Sequence, residues 1–151
     1  MRMKIITVAT HSQGYFPILA RSCKRHNIEL IILGWGDKWK GFGWKLMLLK
    51  KYFESLANDE MVLVLDGFDS FIVSDLNEIL HKFEQLNKPI VCASERKHAN
   101  AIWNAAYEKI FNSGGLYPST PTVYHYLNAG GWITTVGYAL SRVYELAVAN
   151  S

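Results

Sequence analysis

The chain predicts an α/β fold, a doubly wound and mostly parallel sheet flanked by helices, and three observations carry that expectation. Met61–Leu65 is an unbroken apolar run, the habit of a strand buried on both faces in a parallel sheet. Strand and helix periodicities alternate along the chain as β-α-β-α-β-α-β-α-β-α, the order that builds such a sheet. The 151 residues are 50% apolar and 19% charged, which suits one domain around one core.

The elements follow in order. Lys4–Thr10 reads as the first strand, with Ile5, Ile6 and Val8 as β-branched bulk. A polar loop, Thr10–Gly14, leads to Tyr15, Leu19, Cys23 and His26 at helical spacing. Pro17 fits the first turn of that helix, which stops near Asn27. His11 reads as a solvated loop residue. Glu29–Leu33 is the second strand. The loop Gly34–Lys45 then holds four glycines, three tryptophans and three lysines. Glycines let backbone amides approach a phosphate and lysines add charge. The alternative is structural, with glycine turns and with Trp35 and Trp39 capping the core. Leu46, Leu49, Phe53 and Leu56 mark the face of the next helix. Lys45 falls near its N-terminus, where the dipole disfavours a cation unless an anion lies between.

After Met61–Leu65, Ser74 or Asp75 caps a helix whose stripe is Leu76, Ile79, Leu80, Phe83 and Leu86. His81 lies off that stripe and reads as solvated. Ile90–Ala93 is the next strand, and Glu95 at its end reads as a salt-bridged rim acid or an acceptor-site group. Ala99–Ile110 is expected to be helical and Asn112–Tyr124 a long surface loop. In Y-L-N-A-G-G-W-I-T-T, Asn128 reads as a turn residue or a grip on a sugar hydroxyl, and Trp132–Thr135 as extended. Val136–Val148 closes the chain as a helix, with Leu140, Val143, Tyr144 and Ala147 inward.

Composition narrows the function classes. The net charge of +3 fits phosphate-bearing ligands as well as an ordinary surface. No basic run or RNA-binding signature is present, so no nucleic-acid partner is expected. No stretch approaches a membrane span, and Ile5–Ala9 is too short for a signal peptide, so the expected compartment is cytoplasmic. Cys23 and Cys92 lack ligand spacing and read as reduced core thiols.

The chemistry-bearing stretch is Asp66-Gly67-Phe68-Asp69, directly after the buried run. Open α/β sheets bind ligands at the carboxyl ends of their strands. A turn at Gly67 brings the two acids together. At about 5 Å and an effective dielectric near 20 they repel by roughly 3 kcal/mol. A divalent cation removes that repulsion and leaves positions open for a polyphosphate. The plain alternative is a solvated acidic turn.

These pieces resemble the glycosyltransferase domain of the procollagen lysyl hydroxylases, nearly end to end. Ile6–Thr10 followed by Gly14-Tyr15 is similar to the family's first strand, and Leu33–Gly41 to its tryptophan-bearing loop. Val64–Asp69 resembles its D-x-[YF]-D motif, Ala93–Glu95 its next strand end, and Tyr126–Ile133 its L-N-[SA]-G-G segment. The resemblance implies a GT-A, Rossmann-like fold with a UDP-glucose or UDP-galactose donor, Mn²⁺, and a glycan or protein acceptor. It implies metal binding by Asp66 and Asp69. Phe68 would lie near the uracil and Thr7 or Thr10 near the uridine, with Trp39 in the same nucleotide-binding set. Lys45 would meet the diphosphate, and Asn128, Gly130 and Gly131 would border the donor sugar.

This chain departs from the family pattern. Its glycine-rich stretch is shorter, and Trp44 stands where the family has glutamine before the lysine. The family also continues past residue 151 with an acidic segment and a metal-binding histidine, for which His125 is a poor substitute. The expectation is therefore one GT-A domain over 1–151, incomplete at its C-terminus and without an assignable catalytic base. The alternatives are a non-catalytic nucleotide-sugar-binding module and an aspartyl-phosphate phosphatase. The second fits D-G-F-D-S poorly, because that motif spaces its acids by one residue.

Overall fold

The computed structural model of the chain describes residues 3–96, 121–124 and 126–144. The expected helix over 99–110 and nearly all of the expected loop over 112–124 lie outside the described residues, as does His125. Contacts divide the chain into two units, Met1–Val91 with Gly130–Ser151, and Cys92–Ala129.

Five strands form one mixed, mostly parallel sheet of Rossmann-like α/β type, in the order β2-β1-β3-β5-β4. They are β1 (Met3–Val8), β2 (Leu30–Leu33), β3 (Met61–Asp66), β4 (Ile90–Glu95) and β5 (Tyr126–Thr135). β1 runs parallel to both β2 and β3, while β5 runs antiparallel to β3. The chain leaves β1 towards β2 on one side and returns to β3 on the other. The carboxyl ends of β1 and β3 therefore flank a topological switch point, where the crevice of such a sheet opens.

Strand alternation sorts side chains between the two faces. Ile5, Leu63 and Ile133 share a register row. They pack with Leu19 and Cys23 of α1 (Phe16–Arg25) and with Ile79, Leu80 and Phe83 of α3 (Leu76–Leu86). The next row, Ile6, Val64 and Trp132, points the other way. On that face Phe53 of α2 (Phe42–Phe53) meets Trp132 and Tyr144 edge-on, at 5.9 and 6.1 Å between ring centroids.

Local chemistry explains the helix ends. Pro17 lies in the first turn of α1, and Asn27 takes a left-handed φ of 55° just beyond its end. Asp75 caps α3 by accepting the Glu78 N–H at 3.0 Å, and left-handed Asn87 ends it. His81 is exposed, as expected, beside Gln85.

Several expectations are corrected. The helix expected after Lys45 starts at Phe42, behind Gly41 at φ 95°, so the glycine-rich loop is shorter by one turn. Its buried stripe is Lys45, Leu49 and Phe53, because a lysine can hold an inward position when an anion meets it. Leu46 is exposed in consequence. Leu86 is exposed at the end of α3. The expected turn at Asn128 is absent, since β5 continues from Tyr126 to Thr135.

The closing helix also differs from the expected regular α-helix. One α-turn, α4 (Val136–Tyr138), is capped by the Thr135 hydroxyl and passes into a π-helix, Ala139–Tyr144. The wider winding moves burial to Val136, Ala139 and Tyr144, five residues separating the last pair. Leu140 and Val143 are half-buried, and Ala147 lies outside the described residues. No described helix is long and apolar enough to cross a membrane. Cys23 and Cys92 are free thiols, and burial pushes both up from their ordinary pKa.

Candidate functional site

Val8 and Asp66 are register partners at the carboxyl ends of β1 and β3, so the acidic loop begins at the switch point. Asp66 continues the β3 face that carries Val62 and Val64, the face α2 covers. Lys45 continues the α2 stripe of Leu49 and Phe53. The two stripes meet, and the Lys45 ammonium donates to Asp66 Oδ1. Lys45 is only 7% exposed, a burial that a lysine reaches almost only when paired. Asp66 is thus the anion that makes a cation acceptable in the first turns of α2. The N-cap of that helix, Gly41, supplies no side-chain cap, which leaves its first amides open to an anion.

Gly67 opens the expected turn, residues 67–69, and does so without a positive φ. The positive-φ glycines among the described residues are Gly14, Gly34, Gly36 and Gly41. A Cβ on Gly67 would stand 2.9 Å from Thr7 Oγ1 and 3.3 Å from Ala9 Cβ. The residue is glycine because the loop lies directly on the end of β1. Thr7 is fully buried beneath it, and its hydroxyl has no hydrogen-bond partner among the described residues. Thr10 sits at the rim with its hydroxyl 2.8 Å from His11 Nδ1.

The next residue, Phe68, is held by the loop after β1. Its carbonyl accepts the Tyr15 N–H at 2.9 Å, and a Cβ on Gly14 would meet the same oxygen at 2.6 Å. The His11 ring lies 5.9 Å from the Phe68 ring. His11 Nε2 is 2.9 Å from Gln13 Oε1, so this exposed histidine is fixed at both nitrogens. Sequence reasoning missed that, because nothing in T-H-S-Q marks a pinned ring. It also missed the Lys45–Asp66 pair, although the four-residue steps from Lys45 to Leu49 to Phe53 carried the signal. Asp69 is exposed and its Oδ1 lies 3.5 Å from the Ser70 hydroxyl.

The tryptophan loop is half open. Trp39 meets Phe42 and Trp44 edge-on, and Trp35 packs on Phe16 at 4.9 Å. Both indoles are about half exposed, so neither is a core cap in the full sense. Gly131 stands across from Leu65, one residue before Asp66, which brings the glycine pair of β5 to the neighbouring strand. In the second unit the Asn128 amide donates to Glu95, so the rim acid is held by an amide rather than by the expected salt bridge.

Two carboxylates on one loop are hard oxygen donors and match a hard divalent cation in kind. No group of three or more His, Cys, Asp or Glu able to hold a metal occurs among the described residues. Asp66 and Asp69 would therefore supply part of a coordination shell, with ligand oxygens and water supplying the rest.

The carboxyl ends of β1 and β3 at the switch point thus carry an acidic loop, a buried lysine and a helix start without a side-chain cap. Residues 1–150 match the family described as the PLOD GT domain, and the chain belongs to that family of glycosyltransferase domains. It is 31% identical over 150 residues to mouse procollagen-lysine,2-oxoglutarate 5-dioxygenase 1, covering 91% of this chain and 18% of that protein. It is 30% identical over 156 residues to mouse procollagen-lysine,2-oxoglutarate 5-dioxygenase 2, covering 95% and 20%. It is 29% identical over 143 residues to the human multifunctional procollagen lysine hydroxylase and glycosyltransferase LH3, covering 87% and 18%. The chain spans about a fifth of the length of these curated relatives.

Proposed function

We propose that the chain binds a UDP-hexose, UDP-glucose or UDP-galactose, with a divalent cation of the Mn²⁺ type, and transfers the sugar to a glycan or protein acceptor. The observation that carries this reading is the acidic loop at the switch point, with Lys45 reaching Asp66 from α2. Asp66 and Asp69 would hold the cation, which when bound offsets charge on the leaving diphosphate. Lys45 would pass from Asp66 to a phosphate oxygen once Asp66 has another positive partner. The uncapped first turn of α2 adds open amides to that charge.

The remaining residues shape the donor pocket. Phe68, whose carbonyl is held by the loop after β1, would offer its ring to the base, with Thr10 and Trp39 in the same nucleotide-binding set. Thr7 supports this arrangement from below, since its hydroxyl is shut beneath Gly67. Gly130 and Gly131 would leave side-chain-free backbone beside β3 for the sugar. A UDP-release assay with purified protein, Mn²⁺ and each UDP-hexose tests the proposal. Release is expected with at least one donor, by hydrolysis if no acceptor is added. Absence of release with every donor would count against turnover.

The two-carboxylate donor set favours one second reading, a module that holds the nucleotide sugar without reacting. Calorimetry separates the two. Mn²⁺-dependent UDP binding that vanishes in Asp66→Ala, with no turnover, is the signature of the module.

A further inference from the structure

A groove of about 460 Å³ lies between the outer side of α1 and the segment that follows Asp69. Ile18, Arg21 and Arg25 recur at three- and four-residue steps along α1 and form one wall, with His26 at its foot. Phe71 and Val73 rise from the other segment, 52% and 76% exposed. The floor is preformed, because the Ile72 N–H donates to the Ser22 hydroxyl at 2.9 Å. Among the described residues no carboxylate lines the groove, and α1 carries no acid anywhere in its sequence. Neither guanidinium has a hydrogen-bond or ion-pair partner among the described residues.

An ordinary solvated helix face mixes signs of charge and does not wall an apolar cleft. Here two unpaired cations of one sign face two exposed apolar side chains, which is complementary to a segment that is acidic on one side and apolar on the other. The dimensions agree. Arg21 and Arg25 are separated by about 6 Å of helix rise, and alternate residues of an extended chain by about 7 Å. Acids at alternate positions of a strand would meet the arginines, while the residues between them face Phe71 and Val73.

The Ile18 and Phe71 end of the groove adjoins the proposed site along the chain. Tyr15, whose N–H holds the Phe68 carbonyl, accepts the Ile18 N–H at 2.8 Å, and Phe71 is two residues past Asp69. We propose that this groove docks an acidic stretch of polypeptide with interleaved apolar side chains, as the acceptor presented to the Asp66–Asp69 loop. The acceptor role rests on the glycosyltransferase reading above.

The test is fluorescence anisotropy with a short labelled peptide alternating glutamate with leucine or phenylalanine, and a second peptide with lysine in place of glutamate. The purified chain is expected to bind the acidic peptide in preference, more weakly as salt is raised. An R21E/R25E double variant should lose about tenfold in affinity for it, the product of several exposed charge contacts, and should take the lysine peptide instead. Both substitutions are on the surface, so UDP affinity should stay at its wild-type value, while the melting temperature should fall only slightly because Arg25 lies in the last turn of α1.

Equal binding of both peptides by the wild-type chain, or an unchanged affinity in the double variant, overturns the proposal. So does UDP binding with no peptide binding. Arginine-dependent binding to phosphatidylserine vesicles in place of peptide, or a dimer that the double variant abolishes, would give the groove a different occupant and overturn it as well. Peptide binding without any UDP binding would instead remove the donor reading and keep the groove's partner chemistry.

Discussion

Helices α1 and α2 cover opposite faces of the same parallel strands, and they fill their inward stripes differently. α1 turns Phe16, Leu19 and Cys23 to the sheet and is apolar throughout its contact. α2 turns Lys45, Leu49 and Phe53 inward, with a cation at the end nearest the switch point. Against the sheet, the first helix makes apolar contacts through this stripe. The second gives up one apolar position at the level where the sheet ends and the ligand crevice begins. Apolar periodicity alone therefore starts both stripes one residue off: it turns Tyr15 inward on α1, where Tyr15 is 52% exposed and Phe16 is buried, and Leu46 inward on α2, where Lys45 is buried.

The largest expected effect comes from the purely apolar side. Leu19→Ala removes a fully buried side chain from the cluster with Ile5, Met61 and Ile133. It should cost about 3 kcal/mol of folding stability, read by urea denaturation, with UDP affinity per folded molecule unchanged. Lys45→Met is the counterpart on α2. The Asp66 side chain keeps 39% of its surface exposed, so it can hydrate when the ammonium is lost, and methionine fills the same channel. Stability should move by no more than about 1 kcal/mol, while Mn²⁺-dependent UDP affinity falls by about tenfold or more. If Lys45→Met destabilises as much as Leu19→Ala, the lysine is a core residue and the contrast between the helices disappears.

A smaller effect separates the two acids. Asp69 is exposed, and its Oδ1 contact is the Ser70 hydroxyl at 3.5 Å. Asp69→Asn should leave the melting temperature unchanged and weaken Mn²⁺-dependent UDP binding about tenfold by calorimetry. Asp66→Asn leaves Lys45 buried opposite a neutral amide, so it should weaken binding and also lower stability. Equal stability loss in both variants would contradict the asymmetric placement of the acids.

Much of this architecture was legible in the sequence, for physical reasons that differ by region. The β1–α1–β2–α2–β3 half was readable because each element has a clear period and a stop, such as Pro17, Asn27 and the run ended by Asp66. The acidic loop was readable because a buried strand that ends in a carboxylate has few structural uses. What was hidden depends on contacts between distant residues. Gly67 resembles any turn glycine until Thr7 and Ala9 are seen against it. Asn128 and the two glycines after it have the composition of a turn, yet pairing with β3 carries the strand straight through Gly131. The π-winding after Val136 has no local signature, since the same residues satisfy an α-helical pattern equally well. The amide hold on Glu95 required a partner from another strand.

The weakest expected effect lies in the alkaline limb of stability, where α1 again differs from α2. Cys23 is inward on α1, and burial pushes its thiol above the ordinary value of 9.0. Burial pushes the Cys92 thiol and the Tyr144 phenol up as well. A raised folded-state pKa means that the native state binds more protons than the unfolded chain in the window above 9.0. Stability from this source is then fully present below the unfolded-state pKa and is lost as pH rises through the folded one. Denaturation midpoints should be flat from neutrality to about pH 9 and decline beyond it. Cys23→Ala should flatten part of that decline. Lys45→Met should leave its onset near pH 9 in place, because the shifted thiols and phenol are intact in that variant. A decline that begins well below pH 9, or one insensitive to Cys23→Ala, would show that the buried thiol of α1 does not govern this limb.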